Sequence, residues 1–138
     1  MFHYRKNLTA YESLLKPEHC PFCDYDAVKS LVIRETKYAY VLPNRVSYDM
    51  WEMRNVTEHL MVIPKKHVLG LAELPEAAML DIIKLIAEYE AKGYNVYARA
   101  VDSAQRSQPH QHTHLIKLDS KPGRFVLFLS KPYFLLKF

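Results

Sequence analysis

The stretch Arg106-Ser107-Gln108-Pro109-His110-Gln111-His112-Thr113-His114-Leu115-Ile116 places three of the chain's seven histidines at every second position. In a β-strand alternate side chains share a face, so His110, His112 and His114 form one row. Their Cα atoms are then spaced by roughly 6.5–7 Å. Neighbouring imidazoles at that spacing can serve one site, but a straight strand is awkward for wrapping all three around one small ion. The pattern points to divided labour, with one histidine holding a metal and another doing chemistry beside it. The competing reading is a polar edge strand that binds metal only adventitiously.

A chain of 138 residues fits one domain. With 49% hydrophobic and 12% aromatic residues it can build a core without disulfide staples. No apolar run is long enough to span a membrane, and Met1-Phe2-His3-Tyr4-Arg5-Lys6 is not followed by the apolar stretch of a secretory signal. The expected location is therefore the cytoplasm. In that reducing compartment a C-x-x-C pair reads as metal ligands or a redox dithiol, not as a staple. The net charge of +4 suits an anionic ligand such as a nucleotide. The lack of a long Lys/Arg run argues against nucleic acid. The three glycines, Gly70, Gly93 and Gly123, are too few and too scattered for a Walker loop or a dinucleotide fingerprint.

Along the chain, Thr9 to Lys16 reads as a short N-terminal helix with Thr9 as cap, stopped by Pro17. Leu31–Glu35 and Tyr38–Leu42 read as a hairpin around Thr36-Lys37. Arg45 to Glu58 is the least regular part; its Tyr48 and Trp51 are assigned to packing. His59–Ile63 is a short apolar strand. Pro75 to Lys92 is the main helix, with Ala78, Met79, Ile82, Ile83, Ile86 and Tyr89 as its core stripe and Gly93 as its C-terminal cap. Tyr94–Val101 is a strand, Asp102–Gln108 a polar loop, and the histidine strand runs to about Leu118. After a turn at Lys121-Pro122-Gly123, Arg124–Leu129 is another strand. The apolar tail Tyr133–Phe138 must cover its own core or a partner. Strands, one main helix and more strands imply an α+β domain with a largely antiparallel sheet of about five strands. One domain over 1–138 is expected, with its core at about 20–118 and the last strand and tail at 124–138.

Cys20-Pro21-Phe22-Cys23 has the spacing to chelate one ion. Two further ligands can come from His19, His59, His67 or the histidine row. His67 lies just past a strand end and His110 opens the histidine strand, so Cys20, Cys23, His67 and His110 would form a closed Cys₂His₂ set. Four protein ligands leave no position for water, which makes the ion structural. The rival is a redox dithiol. Such dithiols begin a helix after a βαβ-type strand and titrate low, and no strong strand precedes Cys20.

These residues together resemble the histidine triad superfamily. The likeness rests on His110-Gln111-His112-Thr113-His114-Leu115-Ile116, on His59-Leu60-Met61-Val62-Ile63-Pro64-Lys65-Lys66-His67 and on Cys20-Pro21-Phe22-Cys23, in the family's order. It spans roughly residues 20 to 118. The resemblance implies a nucleotide-binding hydrolase acting at the α-phosphate of a nucleoside phosphoramidate or dinucleoside polyphosphate. His112 is then the nucleophile that forms a covalent nucleotidyl-histidine. His114 contacts the phosphate, and Ser107 hydrogen-bonds the phosphate or leaving group. Cys20, Cys23, His67 and His110 match the ligands of zinc-containing members, and a homodimer with sheets joined across subunits is implied. The alternatives are a nucleotidyltransferase or phosphorylase of the same superfamily, or a non-catalytic nucleotide-binding module.

The departures from the family pattern are informative. Gln111 and Thr113 are polar where smaller members have apolar residues, which implies a less buried face behind the histidines. Arg106 stands where a Gln is common, and Arg99 near where many members place an active-site Asn; at least one is expected to contact phosphate. Asn44 is the candidate for the ribose hydroxyls and Phe22 for an apolar contact beside the base.

Overall fold

The computed structural model describes residues 3–4, 19–122, 126–130 and 133–137. The helix expected at Thr9–Lys16 lies outside them. The strands are β1 (His3–Tyr4), β2 (Arg34–Glu35), β3 (Ala39–Pro43), β4 (Met50–Trp51), β5 (Arg54–Pro64), β6 (Asn95–Ala98), β7 (Thr113–Pro122), β8 (Val126–Ser130) and β9 (Tyr133–Lys137). The helices are α1 (Tyr25–Val28), which a single 3-10 turn extends to Leu31, and α2 (Glu76–Glu90). The class is α+β, as expected. The pairings β2–β3, β3–β5, β5–β7 and β7–β6 form the five-strand antiparallel body, and β4 with β1 prolongs it along β5. The apolar tail is β9, paired with β8 in a separate two-stranded sheet.

β5 is the centre because its residues are apolar on both faces. Leu60 and Val62 point to one side and pack with Ala39, Val41 and Leu115 beneath α2. Met61 and Ile63 point to the other and pack with Tyr40, Leu42, Val28 and Phe22. This alternation also sends His59, His112 and His114 to the side away from α2.

α2 docks through Ala78, Ile82, Leu85 and Tyr89, flanked by the half-buried Met79 and Ile86. Its Asp81 carboxylate accepts from Thr36 Oγ1 at 2.6 Å and from the Tyr38 N–H at 3.2 Å, tying the helix to the β2–β3 turn. The expected stripe included Ile83, but Ile83 is 55% exposed and Leu85 takes its place. At roughly 100° per residue, Ala78, Ile82, Leu85 and Tyr89 cluster within one narrow sector, and Ile83 falls well outside it. Gly93 ends the helix in a left-handed conformation, φ 87°. The Tyr94 N–H reaches back to Tyr89 O at 3.2 Å and the Gly93 N–H to Glu90 O at 2.8 Å, the paired bonds of a Schellman cap.

The segment from Arg45 to Glu58 is more regular than expected. It holds β4, a two-residue turn and the first half of β5. Trp51 pairs with Arg54, so Glu52 and Met53 form the turn, both with positive φ, 49° and 64°. Hairpins of this type normally recruit Asn-Gly, and two ordinary side chains there hid the turn from a composition-based reading. The expected strand at Leu31–Glu35 shortens to Arg34–Glu35, because Lys29–Leu31 completes the turn after α1. No helix among the described residues is long and apolar enough to cross a membrane.

Candidate active site and metal centre

The regular ladder of β7 starts at Thr113, later than the histidine row. His110 to His112 lead into it, anchored by the Gln111 N–H to Val68 O at 2.8 Å. All three triad histidines are buried. The single ring of Phe22 lies against both His110 and His112, at centroid distances of 5.7 and 5.6 Å. His112 meets His114 edge to face at 5.0 Å.

The hydrogen bonds assign a tautomer to each imidazole, and His112 differs from the other three. At His110 the Nε2–H donates to Pro64 O at 2.9 Å. Its Nδ1 lone pair therefore faces Cys20 Sγ at 3.3 Å and Cys23 Sγ at 3.6 Å. At His112 the Nδ1–H donates to its neighbour's carbonyl, His110 O, at 2.8 Å, which leaves the lone pair on Nε2. At His59 the ring Nδ1 accepts the Tyr48 backbone N–H at 3.1 Å. In a neutral imidazole the His59 proton then sits on Nε2, which donates to His114 Nδ1 at 2.9 Å. His114 consequently carries its own proton on Nε2. Asn44 Nδ2 stands 3.3 Å from the same His59 Nε2, a contact without a lone pair to accept it, while Asn44 Oδ1 accepts the Val46 N–H at 3.1 Å.

Burial disfavours the charged form of His110 and of His112. It lowers His110 to about 4, against the opposing bond to Pro64 O. It also lowers His112, with the positive charges of Arg106 and Arg99 adding to the effect and the bond to His110 O opposing it.

Cys20, Cys23, His67 and His110 converge, their ligand atoms all within 4.8 Å of one another. Cys23 Sγ also faces His67 Nδ1 at 3.1 Å. A tetrahedral zinc with sulfur and nitrogen ligands spaces its donors by about 3.3–3.8 Å, so these contacts have the right scale. The Pro64 carbonyl supplies the outer bond that aims His110 Nδ1 inward. This four-residue cluster can hold a metal ion. Partial burial and the adjacent Cys20 push the Cys23 thiol up to about 11, the reverse of what a redox dithiol needs. Tyr40 helps fix the cysteine loop by donating its hydroxyl to Phe22 O.

Around His114 stands a wall of rings. Tyr97 pairs directly with His114 across β6 and β7, nearly parallel at 5.9 Å. Tyr48 stacks on His59 at 4.7 Å and on Trp51 at 5.4 Å. Tyr48 and Trp51 are buried, in agreement with their assignment to packing. Arg99, one residue past β6, lies over the Tyr97 ring at 5.4 Å and donates to Tyr48 Oη at 3.2 Å. Arg106 turns back onto its own loop, where its Nε donates to Gln108 O at 3.0 Å and its Nη2 to Pro109 O at 2.9 Å. Ser107 is half-buried in the loop that these bonds brace.

Gln111 and Thr113 correct an expectation. They are 5% and 2% exposed, so the face behind the histidines is as buried as the histidines themselves. The two partly satisfy each other, Gln111 Nε2 donating to Thr113 Oγ1 at 3.3 Å, although Gln111 Oε1 has no partner. Sequence reasoning offered His59 only as a spare metal ligand. Its place follows from β5, where it is in phase with Met61 and Ile63, and from the pairing of Met61 with His114.

Comparisons with known proteins identify the family and match the fold. The HIT domain family model matches residues 29–121, and the chain belongs to that family. Among solved structures, the histidine triad nucleotide-binding protein from Candida albicans is 23% identical with a TM-score of 0.57, over 81% of this chain and 84% of that one. A HIT family hydrolase from Clostridium thermocellum is 23% identical with a TM-score of 0.52, over 80% of this chain and all of that one. A hypothetical protein from Leishmania major is 25% identical with a TM-score of 0.58, over 83% and 84%. A search of curated proteins finds no match.

Proposed function

We propose that this HIT protein hydrolyses a nucleotide derivative at its α-phosphate through a covalent intermediate on His112. The observation that carries the reading is the bond from His112 Nδ1–H to His110 O, which leaves Nε2 with its lone pair. Neutral imidazole in that tautomer is a competent nucleophile near neutral pH. Nε2 attacks phosphorus, the bond to the leaving group breaks, and the nucleotide is held on His112. Water then attacks the same phosphorus, the P–N bond breaks, and the lone pair returns to Nε2. His114, presenting Nε2–H, donates to a phosphate oxygen or to the departing group. Ser107 is assigned a second hydrogen bond at the phosphate. Phe22 is assigned to the base and Asn44 to the ribose. The substrate is a nucleoside phosphoramidate or a dinucleoside polyphosphate.

The ion proposed for Cys20, Cys23, His67 and His110 is zinc, which supplies a rigid cross-link between the cysteine loop and the histidine strand and no substrate position. The proposed location is the cytoplasm, where reducing conditions keep both cysteines available as ligands. A homodimer is proposed as well, supported by the exposed Val96 on β6, which pairs only with β7 among the described residues. Light scattering checks it, with twice the chain mass expected.

The decisive experiment is intact-protein mass spectrometry after mixing with adenosine phosphoramidate or diadenosine polyphosphate. An AMP-sized adduct on His112, lost in His112→Ala with fold and metal retained, is the expected result. Turnover that survives in His112→Ala overturns the reading. Adding inorganic phosphate in place of water as acceptor, and looking for a new nucleotide, separates hydrolysis from transfer.

A further inference from the structure

The proposed reaction leaves open what departs from phosphorus, and the wall beside His114 bears on that choice. We infer that Arg99 is a specificity-determining residue, receiving the phosphate next to the α-phosphate and selecting substrates whose leaving group is itself a phosphate. This rests on the proposed α-phosphate chemistry at His112.

The position is built rather than incidental. Tyr97 sits opposite His114 in the β6–β7 ladder, its ring nearly parallel to the imidazole. Arg99 follows Tyr97 by two residues, and its guanidinium lies over that ring at 5.4 Å. The Tyr48 hydroxyl accepts from Arg99 Nη2 at 3.2 Å, and the Tyr48 ring is itself 5.9 Å from His114. The cation is thus oriented by the same two tyrosines that flank the phosphate-facing histidine. A planar fork of five N–H donors is enough for a protein anchor and a phosphate at once. Arg106 Nε and Nη2 bond the carbonyls of Gln108 and Pro109 and so brace the Ser107 loop.

The chemistry of departure then discriminates between substrates. When the bond from the α-phosphorus to a bridging oxygen breaks, the electron pair leaves on a phosphate, an anion that a fixed guanidinium stabilises without proton transfer. When a P–N bond breaks, the amine needs a proton in order to leave. A guanidinium does not donate one near neutral pH, and its charge opposes the ammonium that forms. Arg99 therefore raises turnover of polyphosphate-type substrates relative to phosphoramidates.

The test uses the full chain with its metal. First, calorimetry compares ADP with AMP on the wild type, which requires no turnover. ADP is expected to bind about tenfold tighter or more, and equal or weaker ADP binding overturns the inference. Second, kcat/KM is measured for diadenosine triphosphate and adenosine phosphoramidate. Arg99→Asn is expected to shift their ratio at least tenfold toward the phosphoramidate, with Arg99→Lys intermediate. An unchanged ratio in a folded variant overturns the inference. A missing His112 adduct alongside an Arg99-dependent ADP preference would remove the covalent mechanism and leave the phosphate site standing.

Discussion

The two ends of the histidine row are held by opposite means. His110 meets the Pro64 carbonyl on one side and, on the other, cysteines on a loop and the exposed His67, a set that can hold an ion. His114 is fixed from within, by the buried His59 and the ring of Tyr97, through hydrogen bonding and packing alone. With the proposed ion bound, one end draws its order from a ligand, the other from the β5–β7 ladder. His112 lies between and borrows from both, through the carbonyl of His110 and the ring of His114. Stability and chemistry should therefore fail separately when each end is cut.

The largest effect is expected at the metal end. Cys20→Ser with Cys23→Ser removes both thiolates, and stability should fall by about 3 kcal/mol or more, on the order of 10 °C in Tm. Metal analysis and thermal melting check this; a chelator should act in the same direction on the wild type. At the other end, His59→Phe keeps the ring volume but strands His114 Nδ1 and the Tyr48 N–H, at a cost of about 1–3 kcal/mol. Metal content should be unchanged while kcat falls by roughly 10²-fold, the scale of a mispositioned catalytic hydrogen bond. Equal loss of metal in both variants would erase the contrast. Phe22→Ala probes a side chain that lies against both His110 and His112, and should raise KM about tenfold with the metal kept, consistent with losing roughly 1.4 kcal/mol of contact. The smallest effect is expected behind the row. Gln111→Met with Thr113→Val removes a buried acceptor without a partner and should raise stability by about 1 kcal/mol in a urea melt, leaving kcat untouched.

Much of this arrangement was legible in the sequence, because alternation is a strong signal. The period-two row of histidines, the C-x-x-C pair and the helical run after Pro75 each fix local geometry before any long-range contact is known. The four residues of the candidate metal centre could be named because thiolate and imidazole have few other reasons to cluster. Less was legible where identity depends on register. His59 belongs beside His114 only because Met61 pairs with His114, which sets His59 diagonally across the ladder. Nothing local to His59 states that pairing. The turn at Glu52-Met53 escaped because both residues adopt a left-handed backbone that neither favours, at a cost of roughly 1–2 kcal/mol apiece. Ile83 misled because apolar character alone does not report angle around the helix axis.

The bond from the Tyr48 amide to His59 has an evolutionary corollary. Which nitrogen of His59 bears hydrogen, and hence which nitrogen of His114 does, is dictated by a peptide group that every residue except proline possesses. Drift at position 48 can swap the ring that stacks there without reversing the polarity of the pair. The orientation is insured against nearly all point changes at that codon, and a proline there is the single substitution expected to cancel it.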